Sequence, residues 1–120
     1  MGLEPNLPDE VVRLMPLTPA VFYILLALLP GPKHGYAIMQ ETLALSDSSV
    51  KMGPATLYST IQRLLILDLI AERLEPEEEA SRRRYYELTG TGRQLLETDV
   101  ARMNAVVRLA NARLRPAAAE

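Results

Sequence analysis

Between Gly53 and Ile70 the chain reads GPATLYSTIQRLLILDLI. Its apolar residues Leu57, Ile61 and Leu64 recur at i, i+4 and i+7, the spacing that lines one face of a helix. Thr56, Ser59, Gln62 and Arg63 fall on the other side, with Tyr58 on the flank and no carboxylate among them. Gly53 and Pro54 open this helix, because proline has the right φ for a first helical position and no N–H to leave unpaired there. Upstream, Val21 to Leu29 is apolar nearly all round, which predicts a helix buried on several sides. Thr18 is placed to cap it, with Pro19 at its first position, and PGPK ends it. A further helix is predicted from Tyr36 to about Leu45, after His34-Gly35, and the polar turn SDSS separates it from the helix that follows.

The period then changes. IAERLE and RRRYYELT are short and carry the β-formers Ile70, Tyr85 and Tyr86. PEEEAS between them is turn-like, so the pair reads as a hairpin. From about Thr91 to Leu114, Leu96, Val100, Met103, Val107, Ala110 and Leu114 alternate in steps of four and three, the seam by which one helix lies along another. So small a domain offers such a helix no obvious partner, and a second copy of the chain is the simplest one. The expected fold is mainly α with a small β-hairpin, a winged helix-turn-helix followed by a C-terminal dimerisation helix. The expected divisions are a Pro-rich N-terminal extension over 1–16, the winged helix-turn-helix over 17–90, the dimerisation helix over 91–115 and a disordered tail over 116–120. Within the extension, Pro8-Asp9-Glu10 suits the start of a short helix.

Composition narrows the classes. A 48 % hydrophobic content is enough for a core, so the chain is not a disordered segment. With no cysteine, disulfides, thiolate metal sites and a cysteine nucleophile are excluded, and a reducing cytoplasm is the expected location. The longest apolar run, Val21 to Leu29, is far short of the roughly 20 residues that cross a bilayer, and no basic segment marks it as a signal peptide. No membrane partner is expected.

The net charge of -2 argues weakly against a nucleic-acid partner, but it is unevenly placed. Lys51 to Arg63 holds two cations and no acid, and Gly92 to Arg115 holds five arginines against Glu97 and Asp99. The acids gather in Met1 to Glu10 and Glu72 to Glu79. Local sign decides the field at close range, since salt screens charges beyond roughly 8 Å.

These patterns bear on candidate chemistry. The second helix of a helix-turn-helix pair enters the major groove, and it needs small or hydrogen-bonding side chains outside an apolar anchor. Thr56, Ser59 and Gln62 meet that need; Arg63 reaches guanine or phosphate, and the Tyr58 hydroxyl can donate to phosphate. An ordinary solvated face has a similar composition. In SRRRYY, Arg82, Arg83 and Arg84 put charge on both faces of a returning strand, suited to phosphates or a narrow minor groove. The alternative is a hairpin whose arginines neutralise Glu77, Glu78 and Glu79. Lys51 joins the phosphate-facing set. His34, the single histidine, is read as a helix-start residue, and no metal site or cofactor is expected. Neither a nucleophile elbow nor an oxyanion-hole glycine cluster is present, so the chain is not read as an enzyme. On the dimer seam, Val100, Met103 and Val107, with Phe22 from the first long helix, mark room for a small-molecule effector.

Three blocks together resemble the PadR family of bacterial transcriptional regulators. HGYAI (His34 to Ile38) matches its second-helix signature, GPATLYSTIQRL (Gly53 to Leu64) resembles its recognition helix, and RRYYELTGTG (Arg83 to Gly92) resembles its wing strand and the start of the next helix. The resemblance spans roughly Leu17 to Gly92. It implies a winged-helix homodimer that binds palindromic operator DNA, usually as a repressor, with release by a small molecule held at the dimer interface. It also places Tyr36 and Tyr58 near the DNA backbone. Where the family usually has LEEEGLI this chain has LLILDLI, with Leu65 for Glu and Asp68 for Gly; Asp accepts the left-handed conformation of a helix end less readily than Gly. The chain also lacks the tryptophans with which some small members hold flat drugs. The rival reading is a winged helix that serves as a protein–protein interaction module without DNA binding, for which the outward Ile66 and the acidic hairpin tip speak.

Overall fold

A computed structural model describes residues 6–74 and 84–116. The hairpin tip with Glu77, Glu78 and Glu79, the arginines Arg82 and Arg83, and the tail residues 117–120 lie outside the described residues. The elements follow in the order α1 (Asp9–Val12), α2 (Pro19–Leu28), β1 (Lys33–His34), α3 (Gly35–Leu45), α4 (Pro54–Ile66), β2 (Ile70–Leu74), β3 (Arg84–Leu88) and α5 (Gly90–Leu114).

Local chemistry sets most of these boundaries. Thr18 Oγ1 accepts from the Val21 N–H at 3.3 Å, and Pro19 follows at the first helical position of α2. That cap satisfies one of the orphan N–H groups every helix start leaves. At α3 the cap is a histidine: His34 Nδ1 accepts from the Ala37 N–H at 3.3 Å. Both helices of the helix-turn-helix end in the same way. After α3, Asp47 and Ser48 take φ of 55° and 68°, and their N–H groups reach back to the Ala44 and Leu43 carbonyls. After α4, Asp68 takes φ of 61°; its N–H donates to Leu65 O at 3.0 Å and that of Leu69 to Leu64 O at 2.9 Å. This is the paired 6→1 and 5→2 closure that usually puts glycine at the left-handed position. Leu64 and Leu69, both buried, supply the apolar contact that goes with it.

The turn between α3 and α4 is held by buried Ser46, whose hydroxyl donates to Leu43 O at 3.3 Å and accepts from Val50 N at 2.9 Å.

The wing has three strands, where the sequence predicts two. β3 lies in the middle, with β2 antiparallel on one side and the two-residue β1 antiparallel on the other. Glu72 lies opposite Tyr86, Leu74 opposite Arg84, and Lys33 opposite Tyr86 on the far edge. β1 ties the start of α3 directly to the wing. The N-terminal extension also joins the core: α1 is a single turn, and its Val11 is completely buried.

The core gathers Ile24, Leu25 and Leu28 of α2, Ile38 of α3, Leu57, Ile61 and Leu64 of α4, and Tyr86 of β3. Leu95 and Leu96 close it from the base of α5. Burying each large aliphatic side chain stabilises the fold by about 2 kcal/mol relative to exposure. Leu96, expected on the dimer seam, is thus buried inside its own chain. Asp99 is buried beside it and accepts from Arg102 Nε at 2.9 Å. From Asn104 to Leu114 every residue of α5 is exposed. The helix extends away from the body, and the molecule measures 69 × 35 × 22 Å.

Candidate nucleic-acid interface

The apolar stripe of α4 turns Leu57, Ile61 and Leu64 inward, so its other side must face solvent. Thr56, Tyr58, Ser59, Gln62 and Arg63 are all exposed there, as the sequence predicts. No acid lies on the helix, and Arg63 stands in its last turn. The Ser59 hydroxyl donates to Thr56 O at 3.1 Å, which leaves its lone pairs outward as acceptors for amino groups. Gln62 and Arg63 extend with no partner among the described residues. Lys51 is exposed just before α4.

Two tyrosines flank this face. The Tyr58 ring lies over the first residue of α3: a Cβ placed on Gly35 would collide with the Tyr58 hydroxyl. The glycine of HGY is what admits the tyrosine of TLY, and the two blocks are one packing unit. Tyr36 is exposed and its hydroxyl accepts from Gln40 Nε2 at 3.3 Å, leaving its proton to donate outward. Across the wing, Tyr86 is buried, and its phenol is pushed above the ordinary value by desolvation first, then by the Glu72 carboxylate and by Tyr58 nearby, with Arg84 opposing. At physiological pH it is a neutral core residue.

Of Arg82, Arg83 and Arg84, only Arg84 lies within the described residues. It is exposed and pairs with Glu72 across the strands at 3.1 Å, while Arg73 pairs with Glu87 at 3.3 Å. The sequence foresaw a solvent-facing Arg84, not that a carboxylate on the adjacent strand would hold it.

One tight contact escaped sequence reading. Thr89 caps α5, accepting from Gly92 N at 3.0 Å and donating to Asp68 O at 2.7 Å. A Cβ on Gly92 would strike the Leu69 carbonyl. The TGTG stretch is therefore a joint that seats α5 against the end of α4. The cue was the glycine two residues inside a helix, where it costs helix stability unless something presses close.

The proposed seam and effector residues lie on α2 and α5. Phe22 is half-buried and packs edge-on to Tyr23 with centroids 5.4 Å apart. Met103 is half-buried, while Val100, Val107, Ala110 and Leu114 are exposed.

Comparison with known proteins fits this geometry. The model of the transcriptional regulator PadR-like family matches residues 24–98, more than half of the chain. The chain belongs to the PadR-like family. A PadR family transcription regulator of Clostridium difficile superposes with a TM-score of 0.68 at 23 % identity, over 82 % of this chain and 100 % of that one. Bordetella bronchiseptica BpsR, described by the mechanism by which 6-hydroxynicotinic acid regulates its DNA binding, superposes with a TM-score of 0.61 at 26 % identity, over 93 % of this chain and 74 % of that one. An uncharacterised 37.1 kDa protein of transposon Tn4556 from Streptomyces fradiae is 38 % identical over 84 residues, 70 % of this chain. The chain spans only 23 % of that relative's length. The family is one of transcriptional regulators, and in this chain α3 and α4 form its helix-turn-helix and β2–β3 the hairpin of its wing. Its family neighbours are regulators rather than enzymes, and among the described residues no helix is long and apolar enough to cross a membrane.

Proposed function

We propose that this regulator binds a palindromic operator as a homodimer in the cytoplasm, represses by occupying it, and is released by a small molecule held at the dimer interface. The observation that carries the reading is the solvent-facing, carboxylate-free side of α4. In this scheme Thr56, Ser59, Gln62 and Arg63 meet base edges, and Tyr36, Lys51, Tyr58 and Arg82 to Arg84 meet phosphates. The free half of α5 supports the dimer: Val100, Met103, Val107, Ala110 and Leu114 run along one side of a helix that leaves its own domain. Two such helices paired would set the α4 helices about one DNA turn apart, ~34 Å. The effector is assigned to Phe22, Val100, Met103 and Val107, and the likeness to BpsR, whose DNA binding 6-hydroxynicotinic acid regulates, supports control by a small molecule.

The experiment is a binding titration of the purified chain on duplex from its own promoter across salt. Contact with six phosphates releases enough counterions to weaken the complex roughly a thousandfold from 50 to 200 mM salt. A complex indifferent to salt would rule out the reading, and so would a failure to bind any duplex.

A further inference from the structure

One large apolar side chain stands on the outward side of α4. Ile66, the last residue of α4, is 75 % exposed, more than any other large apolar residue among the described residues except Leu114 at the far end of α5. Ser59, Gln62 and Ile66 follow at steps of three and four, so Ile66 continues the outward stripe rather than the core stripe. It stands about 6 Å along the axis beyond Gln62, by the 1.5 Å rise per residue. That is less than two base-pair steps of DNA at about 3.4 Å each. Ser59 and Gln62 on this stripe both carry hydrogen-bonding groups. The major groove offers one apolar group at base level, the 5-methyl of thymine, and small apolar side chains recognise it by direct contact.

We propose that Ile66 is a specificity residue that packs against a thymine 5-methyl group in each half-site, next to the base pair met by Gln62. The inference rests on the DNA-binding reading of α4 and adds a chemical preference to it. The chain departs from the family's acidic LEEEGLI end in just this stretch: Leu65 stands in place of Glu, and the carboxylate that is present, Asp68, lies two residues beyond Ile66.

The test separates the two readings. Duplexes are first selected from a random library by the purified chain. In the selected duplex each thymine is then replaced in turn by deoxyuridine, which deletes the methyl and keeps every hydrogen-bonding group. Wild type is expected to lose about fourfold in affinity at one position per half-site, the value of one buried methyl. Ile66→Ala, which changes only an exposed residue and favours helix, should bind the thymine duplex about as weakly as wild type binds the uracil one, and should be indifferent to the replacement. The proposal is overturned if the duplex is selected and bound but no replacement matters, or if Ile66→Ala keeps the same sensitive position. It is equally overturned if Ile66→Ala binds undiminished, which would give Ile66 to a protein surface. Selection of no duplex at all would remove the DNA-binding reading itself.

Discussion

Two glycines of this chain look alike in sequence and act differently in the fold. At Gly35 an added Cβ meets the far end of the Tyr58 side chain, which can swing aside; at Gly92 it meets the Leu69 carbonyl, which cannot. Gly35→Ala should therefore shift Tm by only a few degrees while displacing Tyr58 from its seat on α3. If Tyr58 donates to phosphate, the loss of one hydrogen bond to a charged group lowers DNA affinity about tenfold. Gly92→Ala should lower Tm by about 10 °C, since overpacking against rigid backbone costs about 2 kcal/mol. Thermal melts and titrations on both variants check the pair, and a reversed ranking contradicts it. Asp68 is the third such position. It holds a left-handed φ where the family has glycine, and the conformation costs a non-glycine residue of the order of 1 kcal/mol. Asp68→Gly should raise Tm by about 3–5 °C; an unchanged or lowered melt would mean that the Asp side chain itself holds the turn.

At the scale of elements, the wing and helix-turn-helix are coupled through β1. The Glu72–Arg84 pair is exposed, so it contributes less than about 1 kcal/mol to stability, yet in the proposed complex it would compete with phosphate for the same guanidinium. Glu72→Gln is expected to raise DNA affinity by about threefold at low salt with an unchanged melt. Equal affinity would place Arg84 away from the backbone. The helices were legible because their ends are written locally: Thr18-Pro19, Gly53-Pro54 and the stripe Leu57, Ile61, Leu64 each act within a turn or two. β1 was not. Two residues, Lys33 and His34, have no period, and their strand exists only through pairing with Tyr85 and Tyr86 about fifty positions later. The Gly92 contact likewise joins residues 23 apart. The heptad pattern placed Leu96 on a seam because spacing alone cannot tell a residue buried by its own chain from one awaiting a partner.

For the whole molecule, the distribution of exposure carries the functional reading. The body is closed around one core, the α4 face is polar and free of acids, and the distal half of α5 leaves Val106, Val107, Leu109 and Leu114 open to water. In the proposed dimer a second helix would cover such side chains, and that pairing would hold two α4 faces at a fixed spacing. The most direct test is a hydroxyl-radical footprint of the purified chain on its selected duplex. Two protected patches related by a dyad and centred about 10 base pairs apart are the predicted result; a single patch, or protection with no dyad, would contradict the account.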